Sequence, residues 1–91
     1  MRNTAVIFNA SPDVIRALIK AGSDVNVQDE DGDNPLIQAS FAGNTSNVRV
    51  LIELGADVTH RDHAGHTALS LAKEKGHTEI VKLLEAAGAK E

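Results

Sequence analysis

A spacing of 33 residues runs through this chain and constrains its fold more than any other feature. Gly22, Gly55 and Gly88 are separated by this interval. The same offset joins further matching residues: Ile15, Val48 and Val81; Leu18, Leu51 and Leu84; Asp29 and Asp62; Gly32 and Gly65; Gly43 and Gly76. A fixed period of this length predicts one supersecondary unit stacked along an axis, with each copy burying its apolar face against the next. The sequence therefore predicts a short solenoid, which offers a binding surface rather than a reaction centre.

Composition predicts a thin aliphatic core. The chain has 91 residues, of which 42% are hydrophobic, and Phe8 and Phe41 are its only aromatic residues. A conventional core of this size uses several large rings, whereas stacked helical hairpins bury mainly Ala, Val, Ile and Leu. We expect one domain over residues 1–91.

Charge and cysteine usage narrow the class of function. Nine Lys and Arg against thirteen Asp and Glu give a net charge of −4, which argues against nucleic-acid binding because that depends on neutralising phosphates. The absence of cysteine excludes disulfides and thiolate metal sites. We recognise no signal-peptide pattern and no apolar stretch near the roughly 20 residues of a membrane helix. A soluble, cytoplasmic module without membrane attachment is expected.

Turn and helix signals divide the chain into similar units. In the central unit, Asp29–Asn34 predicts a turn, Pro35 suits the first turn of a helix, and Gly43 ends that helix. A second helix follows and ends at Gly55 in the left-handed conformation. The neighbouring units predict a turn at 62–65, helices from Thr67 to about Lys75 and from Thr78 onward, a helix at 14–21 with Ser11 as its cap, and a stunted helix within 4–8.

These residues carry a family resemblance. The run Asp62-x-x-Gly65-x-Thr67-Ala68-Leu69-x-x-Ala72-x-x-x-Gly76-His77-x-Glu79-Ile80-Val81-x-Leu83-Leu84-x-x-x-Gly88-Ala89 closely resembles an ankyrin repeat. The resemblance implies an all-α repeat solenoid, in which stacked antiparallel helix pairs are joined by β-hairpin-like turns. It divides the chain into a truncated repeat at 1–28, a full repeat at 29–61 and a capping repeat at 62–91.

Several residues depart from the ankyrin pattern. Asn34 replaces Thr, Ile37 and Ser70 replace His, and Ala68 replaces Pro. We expect each to lose a local hydrogen bond or a rigid helix start and so to weaken its repeat. Asn47 stands where a branched aliphatic residue belongs, and its polar neighbours predict a late helix start with Ser46 or Asn47 as the cap.

The two ends of the stack differ. Lys73 and Glu85 replace apolar residues of the pattern, as expected for an outer face turned to water. At the other end, the apolar residues Ala5–Phe8 predict a poorly covered edge. This edge leaves open a structural role, in which the chain caps a larger assembly or forms a weak homodimer instead of a monomer.

Two clusters of polar residues invite functional readings. Asp29–Asn34 is open to three readings: a solvated turn, a contact patch for a basic partner or a weak cation site. An EF-hand calcium loop needs Gly at its sixth position and Glu at its twelfth. Counted from Asp29, Gly32 is fourth and Ser40 is twelfth, so the pattern does not match. His60, His63 and His66 are surface turn residues, partner contacts or metal ligands, but no helical spacing forces their rings together. His77 matches the structural His of the family.

Phe41 lies outside the buried face predicted for its helix. Because the matching ankyrin position lines the concave surface, an exposed ring there predicts an anchor for a partner. The alternative is a ring that packs against a neighbouring repeat, for example against the Lys75 stem.

No catalytic, phosphate-binding or dinucleotide-binding pattern is present in the sequence. The leading hypothesis is a non-enzymatic protein-binding module that needs no cofactor or metal. Its predicted contact residues are Gln28, Glu30, Asp31, Asp33, Gln38, Phe41, Ala42, Arg61, His63, Ala64, His66, Glu74 and Lys75. The acidic turn predicts a partner with a basic segment, and metal binding through His60, His63 and His66 is a less favoured alternative.

Overall fold

The computed structural model describes residues 10–89 and contains five helices in that range. In chain order they are α1 (Pro12–Lys20), α2 (Pro35–Ala42), α3 (Thr45–Glu53), α4 (Ala68–Glu74) and α5 (Thr78–Ala86). Residues 10–89 form no β-strand, so turns alone connect the helix pairs. The predicted helix within 4–8 and the edge at Ala5–Phe8 lie outside the described residues.

The helices pack in two layers. One layer contains α2 and α4, which pack on each other, and the second contains α1, α3 and α5 in that order. Each of α2 and α4 also packs on the helix that follows it, α3 or α5. This is the stack of antiparallel helix pairs that the 33-residue period predicts.

The core lies between the layers and is aliphatic, as predicted. Equivalent positions of successive units are buried together: Leu36 with Leu69, Leu51 with Leu84, and Ile15 with Val48. Ala39 and Ala72 are also buried, and their small side chains allow α2 and α4 to approach closely. Lys73 and Glu85 are exposed, in agreement with an outer face turned to water.

The caps of α2 and α4 correct the expected loss of hydrogen bonds at Asn34 and Ser70. The Asn34 side chain accepts a hydrogen bond from the Ile37 backbone N at 2.9 Å, and so does the work of the family's Thr. At α4, Thr67 and Ser70 form a reciprocal capping box, with Thr67 N donating to Ser70 Oγ at 2.9 Å and Ser70 N donating to Thr67 Oγ1 at 3.0 Å. Both helix starts therefore have a side-chain cap.

Asn47 is not a helix cap, contrary to the sequence prediction. The helix begins at Thr45, and Asn44 is its cap, accepting from the Asn47 backbone N at 3.1 Å. The Asn47 side chain is 3% exposed, and its Nδ2 donates to the backbone oxygen of Ala10 at 2.8 Å. The amide thus ties α3 to the segment that precedes α1, which explains how a polar residue occupies an apolar row.

His77 links two successive helix pairs, consistent with its predicted structural role. Its Nε2 lies 3.3 Å from the backbone oxygen of Phe41. Gly43, at φ 78°, allows the ring to come this close, because a Cβ there would lie 2.7 Å from His77 Cε1. None of the helices between residues 10 and 89 combines the length and hydrophobicity that a membrane crossing requires.

Candidate ankyrin-type binding surface

The first component of the site is the Asp29 turn, residues 29–33. The Asp29 backbone N donates to the Asp33 backbone oxygen at 3.0 Å, and the Gly32 backbone N donates to the Asp29 backbone oxygen at 3.1 Å. Asp29 Oδ1 accepts from the backbone N of Asp31 at 2.9 Å and of Asp33 at 3.0 Å. The carboxylate of the first residue of the turn, Asp29, therefore stabilises the turn by accepting backbone hydrogen bonds within it.

The Asp62 turn, residues 62–66, repeats this arrangement 33 residues later. The Asp62 backbone N donates to the His66 oxygen at 2.9 Å. Asp62 Oδ1 accepts from the backbone N of Ala64 at 2.9 Å and of His66 at 2.8 Å. His66 Nδ1 lies 3.6 Å from Asp62 Oδ2. Two turns of the same shape thus stand side by side, the first rich in carboxylates and the second in imidazoles.

Hydrogen bonds and a ring contact join the Asp29 turn to the Asp62 turn and to His60, which precedes it. The backbone N of His63 donates to the Asp31 oxygen at 3.0 Å. His60 Nε2 lies 2.7 Å from the Gly32 oxygen, and because a carbonyl can only accept, Nε2 carries the proton. The His63 ring packs on Gly32, where a Cβ would lie 2.7 Å from its Cδ2. His60 and His63 therefore both contact the Asp29 turn and help to form the junction between the two turns.

The Asp29 turn continues onto the exposed face of α2. Gln38 Nε2 donates to Asp29 Oδ2 at 3.2 Å. Gln38, Phe41 and Ala42 follow at helical spacing and so share one face of α2. Of these, Phe41 and Ala42 are exposed and Gln38 is half-buried. One continuous surface therefore runs from the acidic turn along α2.

Phe41 contacts the neighbouring helix pair, which is one alternative weighed from the sequence, while its role as a partner anchor stays a prediction. Its side chain is 48% exposed, and the ammonium of Lys75 lies 4.8 Å from the centre of its ring. Lys75 follows α4, so the ring touches the next helix pair through a cation–π contact and still presents an open face to solvent. Glu74, beside Lys75, is exposed.

The remaining predicted contact residues lie around the two turns. Gln28, Glu30, Asp31, Arg61, His63, Ala64 and His66 are all exposed, whereas Asp33 is half-buried. Arg61 Nη1 donates to the Gly65 oxygen at 3.1 Å, which holds the guanidinium against the Asp62 turn. The structure thus places most of the predicted residues on the two turns and on the adjoining face of α2, with Gln28 and Arg61 just before the turns and Glu74 and Lys75 at the end of α4.

Comparison with known families decides what this arrangement is. The family described as ankyrin repeats (3 copies) matches residues 3–90. The chain belongs to the ankyrin repeat family. No match to a curated protein reaches significance. Ankyrin repeats are generally protein–protein interaction modules, and no specific partner follows from the match.

Between the two turns of this ankyrin domain lies a pair of carboxyl groups that sequence reasoning missed. Burial and the contact with Asp62 raise the pKa of Asp33 to about 7, with Asp29 and Asp31 adding repulsion. The pKa of Asp62 is lowered although burial acts to raise it, because hydrogen bonds from Asp33 and from the amides of His66 and Ala64 outweigh burial. The two carboxyls are 29 residues apart in the chain, and only the stacking of ankyrin turns brings them together.

One group of carboxylates in the described part of this ankyrin stack has a spacing that a metal ion could use. Asp29, Asp31 and Asp33 have carboxylate oxygens within 4.8 Å of one another, and they form the only such group in residues 10–89. Both oxygens of Asp29 already accept protein hydrogen bonds, so this spacing does not define a metal site. His60, His63 and His66 do not form a three-ligand group in this range.

Proposed function

We propose that this ankyrin domain binds a partner protein without catalysing a reaction. The proposed surface consists of the Asp29 turn, the Asp62 turn and the exposed face of α2. The observation that carries the proposal is the continuity of this surface, which the bond from Gln38 to Asp29 maintains between the acidic turn and Phe41.

The chemistry of the surface favours a partner segment with a basic group beside an apolar one. Glu30 and Asp31 are exposed carboxylates at one end, and the open face of Phe41 lies at the other. The helix between them, α2, has eight residues and is therefore roughly 12 Å long, a length that about four residues of extended chain would span. Without Trp or Tyr as anchors, we expect affinity in the micromolar range.

The proposal treats residues 1–91 as one domain with repeats at 1–28, 29–61 and 62–91, working in the cytoplasm. Self-association through Ala5–Phe8 stays a prediction, because those residues lie outside the range that the structure describes.

The test compares two exposed apolar side chains. Phe41 and Val14 are 48% and 43% exposed, but only Phe41 belongs to the proposed surface, since Val14 lies on α1 in the other layer. A partner would first be captured with the wild-type domain and then purified, and its dissociation constant would be measured by calorimetry.

Phe41→Ala should weaken this interaction by about 1–2 kcal/mol, roughly 5–30-fold, which is the scale for truncating a large anchor. Val14→Ala should leave the dissociation constant unchanged. Both variants should keep the helical circular dichroism signal of the wild type. Equal effects of the two substitutions, or loss of binding only with Val14→Ala, would place the interface elsewhere.

A further inference from the structure

A carboxylate oxygen without a hydrogen-bond donor lies at the junction between the turns. Asp33 Oδ1 is buried and receives no hydrogen bond. The facing carboxyl group, Asp62, has a side chain only 7% exposed. A buried carboxylate oxygen without a donor costs free energy, because it has lost its water and gained nothing in return.

Neither turn supplies a donor for this oxygen. Asp62 Oδ1 already accepts two backbone amides, and Asp62 Oδ2 faces His66. A proton on Asp33 would meet the need, since a protonated carboxyl becomes a donor and an ionised Asp62 is an acceptor. We propose that Asp33 and Asp62 hold a single proton between them, and that this proton joins the Asp29 turn to the Asp62 turn.

The surrounding charges support this assignment. From its own turn, Asp33 faces Asp29 and Asp31, and both oppose its ionisation. From the Asp62 turn it faces Asp62, which is negative. The basic groups near the junction are held by other partners: His60 by the Gly32 oxygen, His66 by Asp62, and Arg61 by the Gly65 oxygen. His63 packs its ring on Gly32.

The direction of the pH effect follows from proton binding. The pKa of Asp33 is about 7 in the folded chain and 3.8 as its ordinary value. Between these values the folded state retains a proton that the unfolded state has lost, so stability falls as pH rises through this window. Above pH 7 the proton leaves to solvent and two neighbouring carboxylates remain. Asp62, whose pKa is lowered, adds stability with rising pH only below its ordinary value of 3.8, so it does not change the slope in this window.

The protonation state of this carboxyl pair also affects the proposed binding surface. Asp31 lies on that surface together with His63 and His66, and its backbone oxygen accepts a hydrogen bond from the His63 backbone N. Loss of the proton adds one negative charge and repulsion between the two turns. The resulting pH dependence of partner affinity rests on the proposed function, whereas the shared proton does not.

The test follows each carboxyl carbon of the intact domain by NMR between pH 3 and 9. The Asp33 carboxyl should titrate with a midpoint near 7, and the His63 amide resonance should shift with the same midpoint. In Asp62→Asn the side-chain amide can donate to Asp33, so the Asp33 midpoint should fall by at least about one pH unit. Asp33→Asn should abolish the matching transition of the His63 amide.

Asp31→Asn is the matched control, because it removes a neighbouring carboxylate that contributes the smallest of the repulsions. It should leave the Asp33 midpoint within a few tenths of a unit of the wild type. The proposal is overturned if every Asp carboxyl titrates below pH 5, or if Asp62→Asn leaves the Asp33 midpoint unchanged. A second series in calcium chloride tests a cation in place of the proton: saturable shifts at Asp33 at pH 7 would also overturn the proposal. None of these measurements requires a partner, so the shared proton and the binding function can fail separately.

Discussion

The imidazole of His63 packs directly on Gly32, at the point where any larger residue would place its Cβ. The distance from that Cβ position to His63 Cδ2 would be 2.7 Å, closer than side chains tolerate. Gly32 also adopts φ 78°, and its oxygen receives His60 Nε2. One glycine thus serves both the shape of its turn and the contact with the next repeat.

Gly32→Ala should destabilise the domain more than Gly65→Ala. Gly65 has a similar φ of 85°, but a Cβ there would meet nothing within 4 Å. Both substitutions carry the left-handed backbone cost of about 1–2 kcal/mol. Gly32→Ala must also displace the exposed His63 ring, at a cost of about 0.5–1.5 kcal/mol for a ring pushed off its rotamer. The free energy of unfolding in urea, followed by circular dichroism, measures the difference.

A double variant separates the two costs at Gly32. In His63→Ala/Gly32→Ala the ring is gone, so the additional penalty of Gly32→Ala should disappear. If the penalty persists without the ring, strain in the Asp29 turn itself is responsible.

The helix caps of α2 and α4 should contribute comparable stability. Asn34→Ala and Thr67→Ala each remove a side-chain acceptor from a helix start, and each should lower the free energy of unfolding by about 0.5–2 kcal/mol. Asn34→Thr should cost less than Asn34→Ala, because Thr can still accept from the Ile37 amide. Denaturation midpoints would rank the three variants. Equal losses for Thr and Ala at position 34 would show that the bond to the Ile37 amide contributes nothing and that the loss comes from another contact of Asn34, such as its Nδ2 donation to the Asp57 backbone oxygen at 3.4 Å.

Asn47→Val should raise the denaturation midpoint. Asn47 Oδ1 is buried without a partner, which costs about 1–3 kcal/mol. The bond from Nδ2 to the Ala10 oxygen returns only about 1 kcal/mol. Asn44→Ala, which removes the actual cap of α3, is the contrasting variant and should lower the midpoint. A lower midpoint for Asn47→Val would mean that the tie to Ala10 outweighs the orphaned oxygen.

Charge reversal at the Asp29 turn should slow association with a basic partner. Asp31→Lys places a positive charge on an exposed position, so the association rate constant should fall and depend less on salt. Glu85→Lys makes the same change of charge on α5, away from the proposed surface, and controls for net charge. Stopped-flow measurements at several ionic strengths give both quantities, and the same effect from both variants would reduce the role of the turn to net charge alone.

The 33-residue period predicted the repeat fold because each recurring residue has a local or nearest-neighbour role. Pro35 begins a helix and Gly43 ends one, and Leu36 and Leu69 are buried together. The same reasoning failed where a residue that differs from the family pattern makes an equivalent helix-cap hydrogen bond. Asn34 caps its helix in place of Thr, and Ser70 completes a capping box in place of His.

The surface was harder to predict than the core. The residue pattern identified Phe41 as unburied and offered Lys75 as one neighbour, but the choice between the alternatives depends on how α4 stacks on α2. Nothing local distinguishes Asp33 from Asp31, and only the neighbouring turn buries one of them against Asp62. The gathering of such distant residues is a property of stacking, which the period implies but does not place atom by atom.

The position of α3 determines how the domain comes apart. It packs on α1, α2 and α5, whereas α1 among the described helices has its main packing on α3. A fluctuation that frees α1 therefore leaves the remaining layers intact, and the Arg16–Glu53 ion pair that ties it to α3 is exposed and weak. Opening α3, by contrast, separates both of its neighbours in the layer at once. Freeing α1 exposes Ile15 and breaks the bond from Asn47 to the Ala10 oxygen, but it should still cost less than opening α3, which packs on three helices.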